Sequence, residues 1–209
     1  DMGCSVAAMQ YCSENHSNRK KFDAFFVHGL RSAFIFSSIT ALLILLSPLF
    51  YPFVHLQARR LTRLLCLMPF IVCLNSFILT NLRVRFENNK FAAVSLFSSV
   101  ANYAFILPLA YFFDVKGAVL SNYAISLSTL AYGLYCSKGL FHIDFSAKLE
   151  KAEKRGFYKL AFASQINNGL AEGLMLLDIF LIGIFVIDSE VVSSYKVATT
   201  IPSALAFIP

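Results

Sequence analysis

Two carboxylates, Glu172 and Asp178, stand inside an apolar run over residues 160–187. A carboxylate at the centre of a bilayer costs a few kcal/mol and therefore faces a water-filled cavity or a partner. The two are six residues apart, which on a helix turning about 100° per residue places them on different faces, so they need not form a carboxylate pair. The expected geometry turns Glu172 toward a central cavity and Asp178 toward a helix seam, where Asp178 serves equally well as a structural ion-pair partner. Gln165, Asn167, Asn168 and Gly169 give the same helix a polar first half. Lys196, a few residues into the next apolar run, is the expected partner of Asp178 in the outer half of the cavity. Because desolvation raises a carboxyl pKa toward neutrality, Glu172, Asp178 and Lys196 are the candidates for coupling to a proton or a sodium ion.

Arg31, Arg83 and Arg85 form a second chemical set at expected helix ends. A guanidinium there can grip a phosphate through two N–H donors, and ordinary anchoring of basic residues on the cytoplasmic side accounts for them equally well. Asn75, Asn102 and Asn122 lie inside apolar runs and are expected to hydrogen-bond between helices. Patterns for catalysis or metal binding are missing from the sequence: there is no G-x-x-x-x-G-K-[ST], H-E-x-x-H, G-x-S-x-G or C-x-x-C. Cys4, Cys12, Cys66, Cys73 and Cys136 are scattered, and His16, His28, His55 and His142 have no ligand spacing. No enzyme activity, catalytic residue, metal site or cofactor is expected.

The elements that must position these residues are membrane helices. Runs over residues 31–54, 64–82, 91–112, 117–136 and 160–187 are apolar and long enough to span a hydrocarbon core of about 30 Å at about 1.5 Å per residue. Apolar residues make up 57% of the chain and charged ones 14%, with a mean hydropathy of +0.65. A soluble domain of this length carries about a quarter charged residues, so lipid must cover much of the surface. The net charge of +6 then points to lipid headgroups and not to nucleic acid.

Connections and helix faces follow from the same reading. Pro69 is expected to bend the second span, and Phe50, Tyr51 and Phe53 to lie at an interface. The short link Asp114–Gly117 makes spans three and four antiparallel neighbours. The lysine-rich run within 137–159 is expected to lie on the membrane surface, with Phe157 and Tyr158 at headgroup depth. Counting basic residues on alternate sides places 13 on one side, against Arg59, Arg60, Arg63 and Lys116 on the other. The first side should be cytoplasmic. The opening segment is expected to be the inward end of an earlier span, and the chain a piece of a longer membrane protein.

Four segments resemble the polysaccharide-export flippases of the multidrug/oligosaccharidyl-lipid/polysaccharide exporter superfamily. They are DMGCSVAAMQYCSE; LRVRFENNKFAAVSLFSSVANYAFILPLAYFFDVKGAVLSNYAIS; LAFASQINNGLAEGLMLLDIFLIGIF, with Asp178 and Gly183; and VVSSYKVATTIP, with Tyr195 and Ala198. The family has a Leu-Pro pair near the start of its seventh helix, where this chain has Ser164-Gln165. The resemblance implies an all-α multi-pass bundle, a fragment of an exporter of about 12–14 helices in two pseudo-symmetric halves. Residues 1–136 would belong to the first half, 137–159 to a cytoplasmic linker, and 160–209 to the start of the second half. It further implies translocation of an undecaprenyl-pyrophosphate-linked glycan, such as an O-antigen repeat unit, across the inner (plasma) membrane by alternating access. Arg31, Arg83 and Arg85 would receive the pyrophosphate, and Gln165, Asn168 and Glu172 would line the path of the sugar. A glycan polymerase is an expected partner. An ion-coupled exporter of organic cations, from the same superfamily, and a non-transporting scaffold of a glycan assembly complex are the alternatives.

Overall fold

A computed structural model describes residues 1–50, 61–138, 145, 147, 149–185, 194, 195 and 198. Among them the fold is all-α, with helices α1 (Cys4–Glu14), α2 (Arg19–Phe50), α3 (Met68–Val84), α4 (Asn88–Cys136) and α5 (Lys151–Phe185). The chain divides into two compact units, Asp1–Phe162 and Ala163–Pro209. Three helical stretches in the first unit, Arg19–Ser47, Leu61–Val84 and Asn88–Cys136, are long and apolar enough to cross a membrane. Only 11% of the most apolar window of Asn88–Cys136 is buried, and Leu96, Tyr103, Leu107, Tyr111 and Phe112 project outward from it. Apolar surface on this scale is not left to water in a monomer, and hydrocarbon is the medium that matches it. Residues 160–185 of the fifth expected span lie on α5.

Helix α4 is a hairpin of two arms. Phe97 stacks on Tyr132 with ring centroids 4.6 Å apart, and a Cβ added at Gly133 would stand 3.8 Å from Val94. Residues so distant in sequence meet only if the chain folds back between them. It does so at Asp114, whose φ of 50° and ψ of −134° match the first central position of a type II′ turn. A Cβ at Gly117 would fall on the Leu109 carbonyl, so only glycine lets the second arm leave the turn this close to the first. The antiparallel pairing expected from the short Asp114–Gly117 link is thus realised.

The core of the first unit is built on small residues. Cys4, Ala7, Ala8 and Cys12 recur at helical spacing along one face of α1 and are fully buried. Against that face lies Gly29 of α2, where an added Cβ would stand 3.1 Å from Ala8, 3.2 Å from Phe157 of α5 and 3.4 Å from Phe77 of α3. Four helices therefore converge on one missing side chain. Around it pack Phe22, Phe25, Phe26, Phe77 and Phe157, with Tyr11 stacked on Phe25 at 4.7 Å and Phe26 edge-on to Phe77 at 5.6 Å. A second cluster of Ile78, Leu82 and Val94, flanked by Phe91 and Leu130, joins α3 to the hairpin. Asn75 adds a hydrogen bond between these helices, its Nδ2 donating to the Ser126 carbonyl at 2.9 Å.

Several expectations are corrected. Helix α2 starts at Arg19, well before Arg31, because Phe22, Ala24, Phe25, Phe26 and Val27 are buried in the core and do not form a polar loop. Pro69 does not bend a helix: it sits in the first turn of α3, where its missing N–H leaves no bond unmade. Asn122 bonds the Ala118 carbonyl of its own helix at 3.1 Å, and Asn102 is exposed. Phe157 is fully buried, not interfacial, and the lysine-rich run forms the first turns of α5 itself and not a separate surface helix. Tyr51, Phe53, Arg59 and Arg60 lie outside the described residues.

Those first turns of α5 are fastened to α2. Lys21 Nζ lies 2.9 Å from Glu153 Oε1, and the Ser32 and Tyr158 hydroxyls are 2.8 Å apart. Glu153 is the third residue of α5, and its other oxygen accepts the Glu150 backbone N–H at 3.1 Å, the returning half of a capping box. The hydrogen bond from Lys21, then that from Glu150, holds the Glu153 carboxyl below the usual carboxylate range. A depressed carboxyl pKa stabilises the folded state above the unfolded value, about 4.3 for Glu, and loses that effect as pH falls through the folded value.

Two outcomes follow from this packing. Replacing Gly29 by Leu overfills the convergence point and should lower stability by about 1–3 kcal/mol, read as a lower thermal midpoint in detergent; an unchanged midpoint would contradict the convergence. Protection of residues 151–162 against hydrogen exchange, taken relative to the intrinsic rate at each pH, should fall as pH drops below about 4, whereas in Glu153→Gln it should already be lower at neutral pH and lose that acid dependence.

Candidate functional site

The C-terminal turn of α3 presents two arginines in different directions. Arg85 turns inward: its Nε donates to Asn81 Oδ1 at 2.9 Å and its guanidinium lies 5.2 Å from the centre of the Phe22 ring. Burial pulls the Arg85 pKa down, and the Asp23 carboxylate opposes that shift. Asp23 is itself buried at 4% exposure, so this arginine belongs to an internal polar network.

Arg83 turns outward. Its contacts are the Met9 sulfur at 3.9 Å and the face of Phe91 at 5.0 Å, and no oxygen among the described residues accepts its N–H groups. Met9, Gln10, Ser13, Glu14, Arg83, Val84, Phe86 and Asn88 enclose a cavity of about 640 Å³. A second cavity of about 280 Å³, lined by Ser5, Val6, Met9, Ser76, Leu79, Thr80, Arg83 and Phe91, shares Met9 and Arg83 with it. Side by side they make a crevice between α1 and α3, polar at the mouth beside Glu14 and Arg83 and mixed farther along, where Val6, Met9, Leu79 and Phe91 stand beside Ser5, Ser76 and Thr80.

Backbone geometry shapes the mouth. Helix α3 ends in a Schellman motif, with the Glu87 N–H donating to the Leu82 carbonyl at 3.0 Å and the Phe86 N–H to the Arg83 carbonyl at 3.1 Å. The left-handed position in this motif is normally glycine, and here it is Phe86, at φ 57°. That conformation costs a residue with a Cβ roughly 1–2 kcal/mol. In return the Phe86 ring stands at the mouth, its edge against His16 at 5.3 Å.

Arg31, the third expected arginine, lies apart from these two; its Nη2 donates to the Phe145 carbonyl at 3.0 Å. The three arginines thus have three different sets of contacts. In the second unit, Gln165, Asn168 and Glu172 lie on the continuous helix α5 at i, i+3 and i+7, which places them on one face. Gln165 is half-buried, and Asn168 and Glu172 are exposed. Asp178 is on the same helix, and its side chain lies outside the described residues, as does Lys196. Among the described residues no cluster of His, Cys, Asp or Glu has the makings of a metal site.

The chain matches no protein-family model, and no curated protein or solved structure is significantly similar to it. Nothing in the sequence marks Met9, Phe86 or Phe91 as site residues, and Glu14 stands out only as the end of a Ser-Glu pair. Only the closing of α1 onto α3 brings them together.

Phe86→Gly should relieve the left-handed strain and raise stability by about 1 kcal/mol, measured as a higher thermal midpoint in detergent. A drop instead would mean that the Phe86 ring holds the turn together more strongly than its backbone strains it.

Proposed function

We propose that this chain takes part in moving a phosphate-linked, glycan-bearing lipid across the membrane, as the resemblance to the polysaccharide-export flippases implies. The reading is supported by the polar stripe of Gln165, Asn168 and Glu172 on one face of α5. On a helix whose other positions are largely apolar, a stripe ending in a carboxylate is expensive in hydrocarbon and is accommodated by a hydrated path. Sugar hydroxyls are matched by such amide and carboxylate groups. Helices long and apolar enough to cross the bilayer provide the frame, and binding the cargo more tightly in one of two states would shift an alternating equilibrium.

Charge distribution in the first unit agrees with cytoplasmic loading. Because α4 folds back on itself, Lys138 lies at the same end as Lys90, and the Lys21–Glu153 ion pair brings Lys151, Lys154 and Arg155 to the end that holds Arg19 and Lys20. Arg83 and Arg85 close α3 there, whereas Lys116 and Arg63 lie at the opposite end, the latter next to the Tyr123–Leu64 hydrogen bond. The proposal places the basic end in the cytoplasm. A second reading draws on the same stripe: Glu172 is a carboxylate, so ion-coupled export of organic cations also fits.

The test is reconstitution of the full-length protein in liposomes with a labelled undecaprenyl-pyrophosphate-linked glycan. Protein-dependent movement to the opposite leaflet, slowed at least tenfold by Glu172→Gln without a fall in thermal midpoint, is the expected result. If the folded protein moves no glycan but expels a cationic dye in a Glu172-dependent way, the exporter reading replaces the flippase.

A further inference from the structure

We infer that the crevice between α1 and α3 is a binding site for one membrane phospholipid with a zwitterionic headgroup bearing a primary amine, of the phosphoethanolamine type. This site is independent of the α5 stripe and of any transported cargo.

Charges in the crevice carry the inference. The polar mouth holds one cation, Arg83, and one carboxylate, Glu14, which form no ion pair with one another. Arg83 has only a sulfur and an aromatic face as contacts, so the N–H groups of its guanidinium are open to an oxyanion. A phosphate monoanion matches that fork. Glu14 accepts a hydrogen bond from Gln10 Nε2 at 3.1 Å, and with the Gln10 and Ser13 side chains it makes a set of oxygen acceptors on the opposite, α1 side of the mouth. An ammonium with three N–H donors satisfies such a set. A quaternary ammonium does not, since it has no donor and favours an aromatic cage, of which the mouth offers a single ring, Phe86.

Neighbouring charges do not upset this balance. Lys90 is paired with Glu87 at 3.4 Å, and Arg85 is directed into the core toward Asn81 and Phe22. The lining of the mouth is therefore neutral overall, which disfavours a diphosphate or a simple anionic headgroup and favours one carrying both signs.

Depth in the crevice identifies the ligand as a lipid. Val6, Met9, Leu79 and Phe91 line the second cavity together with Ser5 and Ser76, and it adjoins the mouth at the shared Met9 and Arg83. Thr80, one turn below Arg83, also lines it and supplies a hydroxyl at the level of the glycerol esters. From Glu14 back to Ser5 the α1 wall runs nine residues, about 14 Å, close to the thickness of one leaflet's hydrocarbon. An acyl chain can thus lie in the groove while its headgroup spans Glu14 and Arg83.

The site is tested with the full chain in nanodiscs whose phosphatidylcholine background is doped with phosphatidylethanolamine or phosphatidylglycerol, followed by native mass spectrometry of retained lipid. Phosphatidylethanolamine should be retained about tenfold over phosphatidylglycerol. Glu14→Gln should abolish that preference while phosphatidylglycerol retention holds or rises, and Arg83→Gln should reduce both. Leu79→Trp, which fills the apolar groove, should lower phospholipid retention, and soluble phosphoethanolamine should not compete. Both Glu14 and Arg83 are exposed, so their substitution leaves the core intact, and an unchanged thermal midpoint confirms it. Equal or greater retention of phosphatidylglycerol by the wild type, a preference that survives Glu14→Gln, or full competition by soluble phosphoethanolamine would each overturn the assignment.

Discussion

Everything in the first unit depends on how closely helix axes approach at Gly29. In lipid, association of helices gains little from the hydrophobic effect, because hydrocarbon surrounds them whether or not they touch. Close approach, with its dispersion contacts, has to supply the attraction instead. The absent side chain of Gly29 and the small α1 face of Cys4, Ala7, Ala8 and Cys12 provide it. The aromatic side chains then fill the space that this approach leaves at the margins, which is why Tyr11, Phe25, Phe77 and Phe157 crowd around a residue with no side chain of its own.

Much of this arrangement is legible in the sequence, and the limits are physical. Long apolar runs identify helices regardless of context, and the short Asp114–Gly117 link is too brief for anything but a reversal. Boundaries fare worse where polar residues flank an aromatic cluster. An apolar run read as starting at residue 31 leaves Arg19–Leu30 outside the span, yet the aromatic residues of that stretch face the core and draw the preceding lysines into helix. Pro69 is a similar case, because proline inside an apolar run is compatible with either a kink or a start. Hydrogen-bonding asparagines were recognisable as a class, but whether one bonds a neighbour, as Asn75 does, or its own helix, as Asn122 does, depends on an azimuth fixed only by packing. The crevice was hidden for the same reason: Glu14 and Arg83 are far apart in sequence and meet across a cavity, leaving no periodic trace.

The arginines illustrate how sequence proximity misleads. Arg83 and Arg85 are two residues apart and so point to opposite sides of the α3 terminus. One is a strut inside a polar network with Asn81 and Asp23; the other is an open donor at a cavity mouth. The same residue type at one helix end thus does two jobs, structural and recognitive, separated by a turn of backbone that Phe86 completes in an unfavourable conformation. Strain of that kind persists only where surrounding structure overdetermines it, and here the Schellman hydrogen bonds do so.

The fold-back at Asp114 also bears on how the chain enters a bilayer. Its two arms are joined with no intervening loop, and the turn carries one carboxylate and, two residues on, the Lys116 ammonium. A connection this short cannot wait on one side while a single arm inserts. A bilayer would therefore receive the two arms as one helical hairpin, whose apex carries charges that cancel.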